Sequence, residues 1–373
     1  MNVKKTKTMI FEHANCGSPR PTFLFAGEPI EQVDEFKYLG ALMHSTKGLS
    51  PAIAYLHKAA RRAMFGMYRR CRELHIHDPA LRLKLFDTLV KPILTYCCEV
   101  WSVLGPKAAL DDMERIELGF LKTLLGVQAH TKTLHVLAEF GRYPLRLTWM
   151  NQSAKYLSRL ESMAPERLLK QAFIADCRLP ARLSWSSHLS TQLQPYFVSA
   201  PTIENPAAQI FSLQAAHRAH EQKLQTDDSS KTRLYRELKS GYKCEAYIQQ
   251  CSNKHLRRTL AQFRTGSHWL NIETGRHKDI AREDRTCTVC RFRIVNPGLD
   301  HFDAFDSDDE WPDPVEDEQH AIFDCSGYAS ARQVFHDLFG AQVSTVAQFL
   351  SQPDCNRVAK FLTEIRFLRA NSA

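Results

Sequence analysis

Two short pairs of cysteine and histidine residues have the spacing of a zinc-binding knuckle. Two residues separate Cys287 from Cys290, four separate His320 from Cys325, and a loop of 29 residues joins the pairs. Thiolates and an imidazole at these spacings can converge on one tetrahedral Zn²⁺ ion. The long loop does not prevent this, because the entropy cost of closure grows only with the logarithm of loop length. We therefore predict a structural zinc site with these four ligands.

Other interpretations of the same segment stay open at this point. His301 is an alternative fourth ligand, or the cysteines are ordinary core thiols and His320 is a surface histidine. The stretch 303–318 contains nine acidic residues and no basic ones. Two-metal nuclease chemistry needs carboxylates on a rigid scaffold, whereas a dense acidic tract with Pro312 and Pro314 repels itself. A solvated loop insertion is the better interpretation, and a mimic of nucleic acid that competes for the basic face is a further option.

Length and hydrophobic patterning place this site near the end of a mainly helical chain. The chain has 373 residues, more than the roughly 100 to 200 of one typical domain. Helical periodicity runs over 52–163 and resumes over 207–224 and 234–263. The Ser-, Pro- and Gln-rich stretch 180–206 predicts a linker. The predicted fold class is mainly α, with a small β part made of short strands within the first 40 residues.

Capping residues and prolines predict where the helices of the first half begin and end. Asp78 before Pro79 predicts a helix start, because aspartate accepts hydrogen bonds from free N–H groups and proline suits the first turn. Pro92 predicts a kink. Asp111 predicts the start of the next helix and Gly126 its end. Short loops between such helices predict a compact bundle.

The distribution of charge predicts a polyanionic partner. The net charge is +8, and the stretch 303–318 alone contributes −9, so the rest of the chain carries +17. Nucleic acid is the usual intracellular partner of such a surface. The first long helix carries its cations opposite its apolar face; an ordinary solvated face is the alternative. The predicted nucleic-acid contacts are Lys58, Arg61, Arg62, Arg69, Arg70 and Arg264, with Arg291 and Arg293 beside the knuckle.

The cysteine content and the hydropathy predict an intracellular protein. Eleven scattered cysteines, an odd number, predict reduced thiols and no disulfide framework. No stretch approaches the roughly 18 apolar residues of a membrane span, and the first residues lack the apolar core of a secretory signal. We therefore expect a nuclear or cytoplasmic protein without a membrane partner.

Four groups of segments follow one another in a familiar order. They are the run 2–11 (Asn-Val-Lys-Lys-Thr-Lys-Thr-Met-Ile-Phe), Phe36-Lys37-Tyr38-Leu39-Gly40, the segment 89–94 with Glu99–Trp101, and Phe263–His268 with Glu273–Arg276 and Arg285 ahead of Cys287. This order resembles motif D, motif E (the primer grip), the thumb and connector, and the region before a Cys-Cys-His-Cys knuckle. Those parts form the C-terminal portion of LINE-type, non-LTR retrotransposon reverse transcriptases.

The resemblance implies an organisation and roles for particular residues. The implied segments are a palm remnant with a primer-grip-like hairpin at 1–45, a thumb-like bundle at 46–175, a linker and helix at 176–232, a basic connector at 233–285, the knuckle with its acidic insertion at 286–330, and C-terminal helices at 331–373. Phe36, Tyr38, Leu39 and Gly40 would approach a primer backbone. Lys5 and Lys7 would lie near nucleotide phosphates. A strand packed on a core and ordinary surface lysines are the alternatives.

The chain departs from the family where catalysis would occur. The family's catalytic aspartates and its endonuclease precede motif D. The pair 111–112 follows the primer-grip-like segment and opens a helix, and the pair 227–228 lies in a polar run, so neither replaces the aspartates. We therefore predict a fragment that binds RNA or an RNA–DNA hybrid and has no catalytic residues of its own. RNA-directed DNA polymerase activity and Mg²⁺ binding would require the rest of a reverse transcriptase polypeptide as partner. The alternative is a domesticated zinc-knuckle module that binds a protein and has no nucleic-acid function.

Overall fold

The fold is mainly helical with short strands near the N-terminus, as the sequence predicts. The computed structural model describes residues 6–11, 21–199, 209–239, 241–251, 253–290 and 313–371. The strands are β1 (Lys7–Thr8), β2 (Leu24–Phe25), β3 (Glu28–Pro29), β4 (Glu31–Gln32), β5 (Glu35–Tyr38), β6 (Ala41–His44), β7 (Phe197–Ser199) and β8 (Gln209–Phe211). They form two-stranded pairs: β1 with β4 in parallel, and β2 with β3, β5 with β6 and β7 with β8 antiparallel.

The helices divide between two compact units. They are α1 (Ser50–Glu73), α2 (Pro79–Leu89), α3 (Lys91–Leu94), α4 (Cys98–Leu104), α5 (Lys107–Leu125), α6 (Thr133–Glu139), α7 (Leu145–Glu161), α8 (Leu168–Asp176), α9 (Trp185–Leu193), α10 (Leu213–Thr226), α11 (Ser230–Leu238), α12 (Tyr247–Gln250), α13 (Lys254–Arg264), α14 (Asn271–Thr274), α15 (Ala329–Val334), α16 (Val346–Leu350) and α17 (Cys355–Asn371). The first unit comprises Met1–Glu117 and Tyr143–His220, and the second comprises Leu118–Arg142 and Glu221–Ala373.

The first unit is organised around α1, whose apolar residues recur every three or four positions. Ile53, Leu56 and Ala60 are buried on one side of this helix, followed by Met67 and Cys71. Burial of this stripe leaves the cations of α1 on the opposite side, facing solvent. The amphipathic pattern read from the sequence therefore predicts which side of α1 is packed and which is exposed.

Most of the helix ends predicted for the first half of the chain are confirmed, and one is wrong. The Asp78 carboxylate accepts hydrogen bonds from the first backbone N–H groups of α2. The helix is interrupted at Val90, two residues before Pro92. Gly126 ends α5 with a φ of +79°, a conformation that suits glycine. The predicted start of α5 at Asp111 is wrong, because the carbonyl of Pro106 already accepts the first helical hydrogen bond of that helix.

The polar stretch predicted to be a linker contains a helix instead. Ser184 caps α9 by accepting a hydrogen bond from the N–H of Ser187 at 3.1 Å. Leu189 and Leu193 on α9 are buried in the apolar core of the first unit. Composition alone missed this helix because its exposed positions are serine, threonine and glutamine, which are also typical of linkers.

The second unit has an aromatic core in its C-terminal part. Phe339, Phe349 and Phe361 pack with ring centroids 5.3 Å apart, and Phe335 joins them at 5.8 Å from Phe361. None of the helices in the described ranges is long and apolar enough to cross a membrane. The ten cysteines in the described ranges are free thiols.

Candidate metal centre and basic surface

The four predicted zinc ligands converge in the second unit. The ligating atoms of Cys287, Cys290, His320 and Cys325 all lie within 4.8 Å of one another. Sγ of Cys290 is 3.4 Å from Sγ of Cys325 and 3.4 Å from Nε2 of His320, and the Sγ atoms of Cys287 and Cys325 are 3.8 Å apart. A tetrahedral site with Zn–S bonds of about 2.3 Å and a Zn–N bond of about 2.0 Å has edges of roughly 3.5 to 3.8 Å. The four side chains could hold a metal ion.

The cysteine pair is positioned by a short antiparallel contact. Thr286 pairs with Val315, and the N–H of Cys287 donates to the carbonyl of Pro314 at 2.9 Å. Residues 288–290 are helical, so Cys290 follows Cys287 by one turn on the same side. The backbone therefore directs both thiols to one point.

The histidine arm uses a π-helical turn to fit its unusual spacing. The segment His320–Asp324 is π-helical, and the N–H of Cys325 donates to the carbonyl of His320 at 2.8 Å. This i→i+5 hydrogen bond widens the turn and brings residues five positions apart to one side. The carboxylate of Asp317 accepts a hydrogen bond from the backbone N–H of His320 at 2.9 Å and so stabilises the first residue of the π-helical segment. The rival ligand His301 lies outside the described residues.

The thiols and the imidazole of the cluster shift one another's pKa values. Burial opposes a charge on His320, yet hydrogen bonds and charges from Cys287 and Cys290 raise the pKa of its imidazole to about 10. Hydrogen bonds from Cys287 and Cys325 lower the pKa of Cys290, and hydrogen bonds to Cys287 and Cys290 raise the pKa of Cys325. A thiolate at Cys290 is therefore stabilised by a positive charge beside it, which a proton on His320 or a bound cation supplies.

Sequence reasoning missed a neighbour of this centre, Arg332. Its guanidinium donates to the carbonyl of Cys325 at 2.6 Å and places a positive charge close to the thiols. Groups that hydrogen-bond around a metal site orient the ligands and tune the charge of the site. Its position seven residues after Cys325 offers no local pattern by which to find it.

The cation face of α1 is exposed along the whole helix. The six cations of α1 are Lys58, Arg61, Arg62, Arg69, Arg70 and Arg72, and all of them are exposed. Glu73 is the sole acidic residue of this helix, and it lies 3.7 Å from Arg69 and 2.9 Å from Arg70. The other four cations form no ion pair with any carboxylate in the described part of the chain. This face has the charge to bind a polyanion.

An exposed aromatic side chain lies in the middle of the cation face. Phe65 is 55% exposed, and the guanidinium of Arg61 lies 5.8 Å from its ring centroid. Because residues four apart are neighbours on a helix, Phe65 lies between Arg61 and Arg69 on one side of α1. Sequence reasoning did not single out Phe65, although this spacing is visible in the sequence.

The primer-grip-like segment forms the tip of a hairpin. The strands β5 and β6 are joined by Leu39 and Gly40, which both have positive φ values of 46° and 90°. Positive φ at both positions is typical of the type I′ turn. A Cβ at Gly40 would lie 3.3 Å from the hydroxyl of Tyr96, so glycine also leaves room for that ring. Phe36, Tyr38 and Leu39 are all exposed.

Other predicted contact residues differ in accessibility. Lys7 forms an ion pair with Glu31 across β1 and β4. Arg264 is 4% exposed, and its guanidinium pairs with Glu139 and Glu245 in the interior of the second unit. The interpretation of Arg264 as a phosphate contact is therefore corrected, because its donors are already bound to carboxylates. The remaining predicted contacts, Lys5, Arg291 and Arg293, lie outside the described residues.

Comparison with known proteins gives one informative match. Over 144 residues the chain is 31% identical to a putative uncharacterized transposon-derived protein of Caenorhabditis elegans. The match covers 36% of this chain and 48% of the relative, so the chain spans about half the length of that protein. No protein-family model and no solved structure matches the chain. The match indicates a transposon origin.

Proposed function

We propose that this chain is a nucleic-acid-binding piece of a LINE-type retrotransposon reverse transcriptase. In this proposal the cation face of α1 binds RNA or an RNA–DNA hybrid, and zinc at Cys287, Cys290, His320 and Cys325 stabilises the second unit. The observation that carries the proposal is the row of exposed cations on α1, opposed by one acid. The similarity to a transposon-derived protein and the order of the family-like segments support it.

The dimensions of the cation face suit a nucleic-acid backbone. Lys58 and Arg72 are fourteen positions apart on α1, which corresponds to about 21 Å at roughly 1.5 Å per residue. Along one strand of a duplex this is the length of about six phosphates, at roughly 3.4 Å each. The four cations without carboxylate partners are therefore spread over a length that several phosphates of one strand occupy.

The exposed ring of Phe65 favours a strand with accessible bases. Aromatic side chains stack on unpaired bases, and each stack contributes roughly 1 to 3 kcal/mol whatever the sequence. Double-stranded regions keep their bases inside the helix and offer this ring no partner. The pairing of Phe65 with Arg61 and Arg69 therefore points to single-stranded RNA, or to the unpaired end of a hybrid.

The salt dependence of binding tests this proposal. The full chain is titrated with fluorescently labelled single-stranded RNA over a range of salt concentrations, alongside a variant with Arg61→Gln, Arg62→Gln and Arg72→Gln. Each lost phosphate contact reduces the slope of log affinity against log salt by about 0.7. We expect a slope smaller by about 2 in this variant. The control carries Lys107→Gln, Arg178→Gln and Arg182→Gln, which remove the same charge from exposed positions of the same unit.

A second variant separates stacking from charge. Phe65→Ala should lower the affinity for single-stranded RNA about fivefold or more and leave the salt slope unchanged, since no cation is lost. Equal slopes in the α1 triple variant and its control would refute the role of the cation face. An absence of binding even at low salt would instead favour the protein-interaction module.

A further inference from the structure

A polar cavity in the second unit is lined by an unusual number of arginines. It has a volume of about 420 Å³, and its walls contain six arginines and four carboxylates. The main contributions come from α11 and from the segment between Gly275 and Cys287. This volume lies within the range of roughly 300 to 1,000 Å³ typical of small-ligand sites. The sixth, Arg264, is paired with Glu139 and Glu245. We call this cavity the arginine pocket and define it by the other five arginines, which are Arg233, Arg236, Arg276, Arg282 and Arg285.

The carboxylates in the walls are largely engaged elsewhere. Glu318 accepts a hydrogen bond from the buried ring of His268 at 2.8 Å, and Asp317 accepts the backbone N–H of His320. The Asp228 side chain is 94% exposed and lies 3.6 Å from Arg236, so solvent screens this pair. Glu273 lies 3.2 Å from Arg276, which is a shorter distance than that between Asp228 and Arg236. The acids therefore leave part of the arginine charge uncompensated.

Two arginines of the pocket form no hydrogen bond with a carboxylate in the described part of the chain. Arg233 is exposed and forms no ion pair with a carboxylate among the residues that the structure describes. Arg282 lies 3.9 Å from Asp317, which is beyond hydrogen-bond distance. Guanidinium groups bind phosphate through paired N–H donors, and these two have donors to offer. Both therefore have the chemistry to bind an anion that enters the pocket.

Arg285 is built into the wall in a way that keeps its charge available. Its donors bind the carbonyl oxygens of Ile272 and Ile280 at 2.7 to 3.0 Å, and those acceptors carry no formal charge to neutralise it. Its side chain packs over Gly275, where an added Cβ would lie 2.8 Å from Cγ of Arg285. The contact with Gly275 and the hydrogen bonds to the two carbonyl oxygens therefore hold the positive charge of Arg285 in the wall of the cavity.

We propose that the arginine pocket binds a phosphate monoester, supplied by the terminal phosphate of a nucleic-acid strand. A terminal phosphate carries about −1.5 to −2 charges at pH 7, more than the single charge of an internal diester. Several arginines around one cavity favour a compact, doubly charged phosphate. The elongated cation face of α1 instead favours a row of singly charged phosphates. The strand-end part of this inference rests on the proposed nucleic-acid function, but the phosphate chemistry of the pocket does not.

Discrimination between strand ends tests the inference. The full chain is titrated with one RNA oligonucleotide in three forms, carrying a 5′-phosphate, a 3′-phosphate or neither. We expect one phosphorylated form to bind about tenfold more tightly than the unphosphorylated form. The variant Arg233→Gln with Arg282→Gln should lose this ratio. The control Lys254→Gln with Lys360→Gln removes equal charge from exposed positions of the same unit outside the pocket and should keep the ratio.

The α1 triple variant separates this inference from the proposed function. It should bind all three oligonucleotides more weakly and preserve the tenfold ratio, because the pocket is unchanged. A ratio of one in the wild-type chain overturns the strand-end source.

A readout that needs no variant tests the phosphate chemistry itself. Arg233 and Arg282 are labelled with phenylglyoxal in the wild-type chain, with and without inorganic phosphate, and mapped by mass spectrometry. Protection of both arginines at millimolar phosphate, with Arg61 and Arg62 labelled as before, supports a phosphate site. Equal labelling in the presence and absence of phosphate overturns it.

Discussion

Arginine has opposite environments in two helices of this chain. On α1 of the first unit the arginines point into solvent, and Glu73 is the one acid of that helix beside them. On α13 of the second unit, Arg264 is enclosed and donates to Glu139 and to Glu245, the latter at 2.7 Å. Both helices have the same basic, amphipathic pattern in the sequence. The comparison teaches that charge pattern locates candidate contacts, while burial decides which of them a ligand can reach.

The interior cluster around Arg264 connects several elements of the second unit. The fully buried carboxylate of Glu139 on α6 also accepts hydrogen bonds from the hydroxyls of Tyr235 at 3.0 Å and Tyr247 at 2.5 Å. Burial would raise the pKa of Glu139, but the Arg264 guanidinium outweighs burial and lowers it, so the carboxylate stays charged. A buried network of this kind stabilises the fold only while every member keeps its partner.

Removal of the metal ligands should have the largest effect and should be confined to the second unit. We expect Cys287→Ser with Cys290→Ser to abolish zinc binding and to expose the segments that carry the four ligands, because structural zinc sites contribute on the order of 10 kcal/mol. Zinc content by elemental analysis and amide hydrogen exchange are the measurements. The pair Cys97→Ser with Cys177→Ser, outside the cluster, is the control. Unchanged zinc stoichiometry in the ligand variant would show that these cysteines do not bind zinc. Lost protection from exchange across α1 would show that the effect is not confined to the second unit.

The same substitution at the two kinds of arginine tests the comparison directly. Arg264→Met leaves the Glu139 charge buried without its main partner, which should destabilise the second unit by roughly 3 to 5 kcal/mol. Arg61→Met on α1 removes an exposed charge and should change stability by no more than about 0.5 kcal/mol. Urea denaturation of both variants measures the difference. Similar midpoints for the two would mean that burial does not distinguish these arginines.

Local rules predicted much of this structure, and their failures have identifiable causes. The cap at Asp78, the break before Pro92 and the end at Gly126 depend on neighbouring atoms alone, so the sequence reveals them. The helix α9 was missed because its stability comes from Leu189 and Leu193, which pack against distant residues. Composition carries no information about such tertiary contacts.

The candidate site divides in the same way. The cluster of four candidate metal ligands was predicted because each pair lies within one turn, so sequence spacing fixes most of the geometry. The partners of Arg264 are 125 and 19 residues away in the chain, and no spacing rule reaches that far. The arginine pocket was missed for the same reason, although Arg276 and Arg285 were noticed as parts of family-like segments.

The acid sensitivity of the second unit gives a smaller, graded test. Burial lowers the pKa of His135 to about 4 from an unfolded value near 6.5. Between these values the unfolded chain binds more protons than the folded one, so stability falls as the pH falls from 6.5 to 4. A shift of this size corresponds to about 3 kcal/mol. We expect His135→Gln to flatten this dependence, as measured by urea denaturation at several pH values.

The contribution of His135 is the difference between the stability–pH profiles of the wild type and the His135→Gln variant. Protonation of the metal ligands affects wild type and variant alike, so subtraction of the two pH profiles isolates His135. Its contacts support the assignment: the ring stacks on Tyr235 at 4.2 Å and lies 3.1 Å from the hydroxyl of Thr232. Parallel profiles from pH 6.5 to 4 would show that His135 is not held neutral by burial.

The smallest expected effect concerns Glu73, the acid at the end of the cation face. Its ion pairs with Arg69 and Arg70 are exposed, so Glu73→Gln should change stability by no more than about 0.5 kcal/mol. The substitution also frees two cations for phosphate, and we expect RNA affinity at low salt to rise about twofold to threefold, with a steeper salt slope. Glu161→Gln removes the same charge from an exposed position on α7 and should change neither quantity. Equal affinities for the two variants would mean that RNA does not contact the Arg69 end of α1, and would restrict the binding surface to the turns around Lys58 and Arg61.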